Sequence, residues 1–184
     1  MKNIVILSSS VRKGRASHRV ALFFEKLLKS QPDCQVIMID LMTYNFPIFQ
    51  ERLKFLENPS SDIIDFSNQI KNADGIILVT PEYNGGYPAS LKNVVDLLYD
   101  EWKRKPIAIA TVSGGNFGGA QVITSLLFSL WKIGAMVIPS HFPVPNVTKE
   151  YTTDGEAINP ESTHKRAHAF IEEFFFWITR SSSN

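Results

Sequence analysis

Five short, unbroken apolar runs recur along the chain: Ile4–Leu7, Cys34–Ile39, Ile76–Thr80, Ile107–Val112 and Ala135–Ile138. They are rich in β-branched residues and too short for helices, the mark of strands covered on both faces, as parallel sheets require. Between them the apolar residues change period. Val20, Phe24, Leu27 and Leu28 share one helical face, as do Ile63, Phe66, Ile70 and Ala73. Leu91, Val94, Val95, Leu98 and Trp102 form a third stripe, and Val122, Leu126, Leu127, Leu130 and Trp131 a fourth. Ala167, Phe170, Ile171, Phe174, Phe175 and Ile178 make the last. Strands that alternate with amphipathic helices predict a doubly wound parallel sheet, a three-layer α/β/α sandwich.

The punctuation agrees with that pattern. Pro59-Ser60-Ser61-Asp62 is a helix-start signal, Asn72-Ala73-Asp74-Gly75 closes that helix, and Gly134 ends the fourth. Pro139 is expected to stop the fifth strand, leaving His141–Asn159 as a long irregular loop. Leu41–Asn58, with Asn45-Phe46-Pro47 inside it, reads as a loop with room for a short helical turn, and Ser181–Asn184 as a frayed tail. No linker or repeat divides the chain, so residues 1–184 are expected to form one domain with strand order 2-1-3-4-5.

Composition then narrows the function. The 19 Lys and Arg nearly balance the 18 Asp and Glu, giving formal net charge +1, which offers no electrostatic reason for a nucleic-acid partner. The single cysteine, Cys34, is read as a buried, inert thiol and cannot make an internal disulfide, which suits a reducing compartment. The first apolar run is too short for a signal sequence and no stretch is long enough to span a bilayer. The expectation is a soluble, cytoplasmic protein with no membrane partner.

In an open sheet of order 2-1-3-4-5, ligands meet the loops that leave strands one, three and four at their carboxyl ends. Those loops have unusual composition. The first, Ser8-Ser9-Ser10-Val11-Arg12-Lys13-Gly14-Arg15-Ala16-Ser17, offers hydroxyls, guanidinium groups and a helix N-terminus, which together suit a phosphate. It is not a GxxxxGK[ST] loop. The plainer alternative is a polar turn with Ser17 as N-cap and exposed basic residues.

The central loop, Pro81-Glu82-Tyr83-Asn84-Gly85-Gly86-Tyr87-Pro88, carries stackable rings and backbone donors but no Cys or His. It suits holding a flat ligand better than attacking one. The third, Ser113-Gly114-Gly115-Asn116-Phe117-Gly118-Gly119, imitates a dinucleotide fingerprint, but Ser113 replaces the first glycine and no acidic residue follows to hold a ribose. Its glycines let backbone N–H groups approach a ring edge, or else simply let the next helix start tightly. A phosphate at one loop and a flat ring between two others describe a mononucleotide such as FMN, whose ring performs the redox step without a protein nucleophile.

These motifs resemble the NADPH-dependent FMN reductase family of flavodoxin-like proteins over nearly the whole chain. Ser9-Ser10-Val11-Arg12 matches the family's Gly-Ser-x-Arg phosphate motif with Ser9 in place of Gly, and Arg15 stands where many members have a phosphate-binding Ser. Pro81 through Asn93 matches the most specific family motif almost fully, and Ser113-Gly114-Gly115 with Gly118-Gly119 matches the third flavin loop. The resemblance implies a phosphate held by Ser10, Arg12 and Ser17, and a ring lined by Pro81–Asn84 and Ser113–Gly118. It also implies NADPH or NADH as co-substrate, a small acceptor such as free flavin, a quinone or an azo dye, and a homodimer or homotetramer. The candidate cofactor-binding set is thus Ser9, Ser10, Arg12, Ser17, His18, Pro81, Glu82, Tyr83, Asn84, Ser113, Gly114, Gly115, Phe117 and Gly118.

Other residues are weighed against plainer roles. His18 either assists the phosphate loop or faces water, and Glu82 either tunes the ring or is a loop-surface carboxylate. Asp40 is read as structural. His164 and His168, one turn apart, lack the Glu of an HExxH motif and are read as a solvated face, so no metal is expected. Phe176 beside Trp177 hints at a subunit contact. The rival functions are a flavodoxin-type electron carrier, which the balanced charge disfavours, and a flavin-binding regulatory module without turnover.

Overall fold

The computed structural model describes residues 1–44 and 46–181; Asn45 and the last three residues of the expected tail lie outside the described residues. Five parallel strands, β1 (Lys2–Ser8), β2 (Cys34–Asp40), β3 (Gly75–Pro81), β4 (Pro106–Val112) and β5 (Met136–Val144), form one sheet in the order β2-β1-β3-β4-β5. This is the expected order. Every residue of β3 and β4 is buried, which explains their uninterrupted apolar runs.

Helices α1 (Ser17–Lys29) and α7 (Pro160–Ser181) cover one face, where Phe24, Phe142, Phe170 and Phe174 pack together. Helices α3 (Ser61–Asn72), α4 (Ala89–Leu97) and α5 (Val122–Lys132) cover the other, where Phe66, Val95, Trp102 and Leu130 meet. The layers are therefore α/β/α, a flavodoxin-like sandwich. Two short helices, α2 (Leu41–Tyr44) and α6 (Val147–Glu150), lie in the connections. Ser60 caps α3 as its sequence announces, accepting from the Ile63 N–H at 3.4 Å.

The structure corrects several boundaries. β5 does not stop at Pro139 but runs on to Val144. Its register slips, from Ile107 opposite Val137 to Ile109 opposite His141, so extra residues around Pro139 bulge out of the ladder. As β5 is an edge strand, a proline without an N–H is tolerated there.

The third stripe is not one helix either. α4 ends at Leu97, and Trp102, fully buried, belongs to a separate 3-10 turn. The Glu101 carboxylate accepts from the Tyr99 N–H at 3.1 Å and the Ser67 hydroxyl at 3.0 Å, giving the backbone an alternative to helix.

On α5, Leu127 and Trp131 are exposed, not core. Cys34 is half-buried, since β2 is the other edge strand, and burial pushes its thiol pKa up. Among the described residues no helix is long and apolar enough to cross a membrane.

Candidate functional site

Strand register brings the candidate loops together. Ser8 pairs with Val79, Pro81 with Val112, and Val112 with Val144, so the chain leaves β1, β3 and β4 along one edge.

The first loop buries four serines, Ser8, Ser9, Ser10 and Ser17. The Ser10 hydroxyl meets the Tyr83 hydroxyl at 2.6 Å and accepts from the Arg12 N–H at 3.3 Å. The Ser8 hydroxyl meets His18 Nδ1 at 3.0 Å. Ser9 Oγ and Ser17 Oγ are buried and have no hydrogen-bond partner among the described residues. Ser17 is not the N-cap of α1: that position is Ala16, no side chain caps it, and no acidic residue sits in the first turn. An uncapped helix N-terminus beside unsatisfied hydroxyls is a donor set for an anion, because each buried hydroxyl without a partner costs about 1–3 kcal/mol. The residues present therefore fit a phosphate group.

Of the basic residues here, Arg12 and Lys13 are exposed, whereas Arg15 folds back onto Asp40 at the end of β2. Burial pushes the Asp40 carboxyl up, but the Arg15 hydrogen bonds, the Met42 N–H and nearby positive charge outweigh it and hold the pKa below 3.8. For His18 burial wins over the attraction of Asp40, and its pKa falls below 6.5.

The central loop is a tight reversal. Asn84 and Gly85 have φ of 51° and 79°, while Tyr83 and Gly86 exchange backbone hydrogen bonds of 2.8 and 3.0 Å. Asn-Gly is the pair such a left-handed turn favours. Its ties run both ways. The Ser90 hydroxyl, in the first turn of α4, donates to the Ser9 carbonyl at 2.6 Å. Glu82 turns its carboxylate toward α5, accepting from the Gln121 and Val122 N–H groups at 2.9 and 3.3 Å. Tyr87 reaches Ser129 on the same helix at 2.7 Å.

The third loop is fastened from below. The Ser113 N–H donates to Val144 O, Val147 N–H to Ser113 O and Asn146 N–H to Gly115 O. The Thr111 hydroxyl contacts Gly118 O at 2.6 Å and His141 Nε2 at 2.7 Å. With the hydroxyl proton directed at a carbonyl, His141 Nε2 must carry its own proton. Burial lowers the His141 pKa. At Gly118, with φ 61°, a β-carbon would be tight against its neighbours, 3.0 Å from Pro143 Cβ. Above Gly114 and Gly115 the space is open. Phe117 projects outward, 85% exposed.

The predicted residues thus fall into one neighbourhood, though several do other work there than expected. Ser10 and Glu82 are engaged within the protein, and the unsatisfied hydroxyls are Ser9 and Ser17. Sequence reasoning missed His141 and Thr111, since a lone His inside an expected loop carries no signal. A cleft of about 810 Å³, lined by apolar residues including Met42, Phe46 and Ile48 and by the charged Lys13, Lys92 and Asp96, opens beside the first loop. His164 packs edge-on against Phe23, and no metal-competent group of His, Cys, Asp or Glu occurs among the described residues.

Known proteins resemble this chain over most of its length. The family model for NADPH-dependent FMN reductases matches residues 2–149. An NAD(P)H-dependent FMN reductase from Nectria sp is 35% identical over 136 residues, covering 68% of each chain. A quinone reductase from Escherichia coli K12 is 32% identical over 141 residues, covering 73% of this chain and 72% of the relative. Among solved structures, the flavoenzyme NAD(P)H:(acceptor) oxidoreductase FerB from Paracoccus denitrificans superposes with TM-score 0.79 at 23% identity, over 98% of this chain and 99% of that one.

Proposed function

Since this chain belongs to the NADPH-dependent FMN reductase family, a family of oxidoreductases, we propose that it is an NAD(P)H-dependent reductase holding FMN across its three loops. FMN, when bound, supplies the redox chemistry, taking hydride from NADPH or NADH and passing electrons to a free flavin, a quinone or another small acceptor. Ser9, Ser17, the exposed Arg12 and the N-terminus of α1 hold the phosphate, with Ser10 and His18 lining the same loop. Pro81–Asn84 and the Ser113–Gly118 loop flank the ring, and Asn84 is carried out to the edge by its left-handed turn. The observation that carries this reading is the pair of buried, partnerless hydroxyls beside an uncapped helix.

The 810 Å³ cleft has the size of a small-molecule site and a mainly apolar lining with a few polar groups, which supports a small aromatic acceptor. Phe128 and Trp131, 65% and 68% exposed on α5, support a homodimer or homotetramer better than Phe176 does, at 49% beneath the Arg180 guanidinium. The α/β/α sandwich of the described residues carries all three loops of this reading, and the unpaired Cys34 suits the reducing cytoplasm.

The test is a titration of the purified protein with FMN, followed by NADPH oxidation with a quinone. Bound FMN and steady turnover are expected, and Arg12→Ala should weaken FMN retention. A protein that refuses FMN refutes the reading. One that binds it but never turns over is instead a carrier or a regulatory module.

A further inference from the structure

The three basic side chains of the first loop are not equivalent. Arg12 and Lys13 face solvent, while the Arg15 side chain is 11% exposed against an Asp40 side chain at 14%. Arg15 Nη1 donates both to the Ser10 carbonyl and to Asp40 Oδ1, at 2.5 Å each, and Nη2 donates to Asp40 Oδ2. A single guanidinium thus bridges the middle of the loop and the end of the neighbouring strand. Both anchors are themselves fixed. Asp40 Oδ1 accepts from the Met42 N–H at 3.0 Å and the Asp40 carbonyl accepts from the Thr43 hydroxyl at 2.8 Å, while the Ser10 hydroxyl is held by Tyr83. The unsatisfied hydroxyls of Ser9 and Ser17 flank this bridge in sequence on either side. A largely buried ion pair of this kind adds little net stability, yet it can hold one conformation in place.

We propose that Arg15 is a positioning residue for the cofactor phosphate: clamped by Asp40, it sets the path of the Ser8–Ser17 loop before the ligand arrives, and it does not itself contact the phosphate. The inference rests on the reading that this loop holds FMN. A loop already in its bound shape loses little conformational freedom on binding, so the clamp contributes to affinity through order and not through contact. The Asp40 carboxylate already neutralises the Arg15 charge, which leaves the exposed Arg12 as the guanidinium free to meet a phosphate.

Two other roles make different predictions. An Arg15 that swings from Asp40 to the phosphate would be released by Asp40→Asn, which also removes a carboxylate that repels the ligand, so FMN would bind as well or better. A purely structural Arg15 would weaken FMN and riboflavin alike. The clamp requires that Asp40→Asn weaken FMN, and that riboflavin, which has no phosphate, be nearly unaffected.

The experiment measures dissociation constants for both flavins by quenching of flavin fluorescence, on wild type, Arg15→Ala, Asp40→Asn and the double variant. Loss of a charge-assisted clamp should raise the FMN constant on the order of tenfold in each single variant. The double variant should be no weaker than the weaker single. Asp40→Asn keeps an oxygen for the Met42 cap, so it decides the question should Arg15→Ala fail to fold. Unchanged or tighter FMN binding in Asp40→Asn, or equal weakening of both flavins, overturns the clamp. A wild-type protein that binds neither flavin overturns the cofactor reading first, and the clamp with it; wild-type binding with unaffected variants overturns the clamp alone.

Discussion

Glu82→Ala should loosen the connection between the central loop and α5. That helix begins without help of its own: Gln121 makes no side-chain cap and the first turn holds no acidic residue. The missing cap comes from Glu82, whose carboxylate accepts from the Gln121 N–H at 2.9 Å and less closely from Val122 at 3.3 Å. Loss of one helix cap costs about 1 kcal/mol, and loss of a negative charge at a partly exposed helix N-terminus adds about 0.3–1 kcal/mol. For a domain of this size, about 1–2 kcal/mol corresponds to a Tm lower by roughly 3–6 °C. Glu82→Gln keeps an acceptor oxygen and should lose about half as much. Urea unfolding of the ligand-free protein, followed by far-ultraviolet circular dichroism, measures it as a lower midpoint at unchanged slope. A midpoint for Glu82→Ala equal to wild type would show that the carboxylate does not cap α5.

Gly155→Ala should be far more damaging than Gly14→Ala, although both glycines have positive φ. A β-carbon on Gly155 would stand 2.7–2.8 Å from Leu22 Cβ, Arg19 O and Phe23 N, whereas nothing lies within 4 Å of Gly14. Urea midpoints should report about 2–4 kcal/mol for the former and about 1 kcal/mol for the latter. Burial lowers the pKa of both His18 and His141 below 6.5, so the unfolded chain binds more protons as the pH falls through that value, and stability falls with it. Unfolding free energies measured between about pH 7.5 and 5.5 should drop in wild type and drop less in His141→Asn; equal slopes would contradict the assignment. Phe128→Ser with Trp131→Ser should shift sedimentation toward a smaller species if α5 carries the subunit contact, and an unchanged profile would place that contact elsewhere.

The sheet was legible because each strand announces itself twice, by an unbroken apolar run and by the helical stripe that follows. Two of the failures came where one signal stood for two structures. Pro139 ends a central strand but only bulges an edge strand, and which strands are edges depends on topology, not on local sequence. Leu127 and Trp131 fit the α5 stripe, yet a stripe wider than the contact with the sheet has an exposed rim, and periodicity cannot tell rim from centre. The site was legible as three loops but not as a network. Glu82 reads as a surface carboxylate because its partner N–H groups lie on a helix begun well after the next strand. Thr111 and His141, on neighbouring strands, were invisible for the same reason: their meeting exists only once β4 and β5 pair.

The loops are tied to one another by side chains, not by the sheet alone. Ser10–Tyr83 and Ser90–Ser9 join the first to the second, Glu82 and Tyr87 join the second to the helix that follows the third, and Thr111 holds the third from beneath. Among these ties Ser9 and Ser17 keep buried hydroxyls without a partner, whereas the other buried unpaired atoms among the described residues, Gln69 Oε1 and Trp102 Nε1, belong to α3 and to the turn after α4. An edge that leaves these two hydroxyls unpaired concedes about 1–3 kcal/mol for each. An anion accepting from both would restore that loss, and anything that binds only the folded state also stabilises it. On the proposed reading the same unpaired hydroxyls mark the phosphate site, and the Arg15–Asp40 clamp holds the loop around it until it is filled.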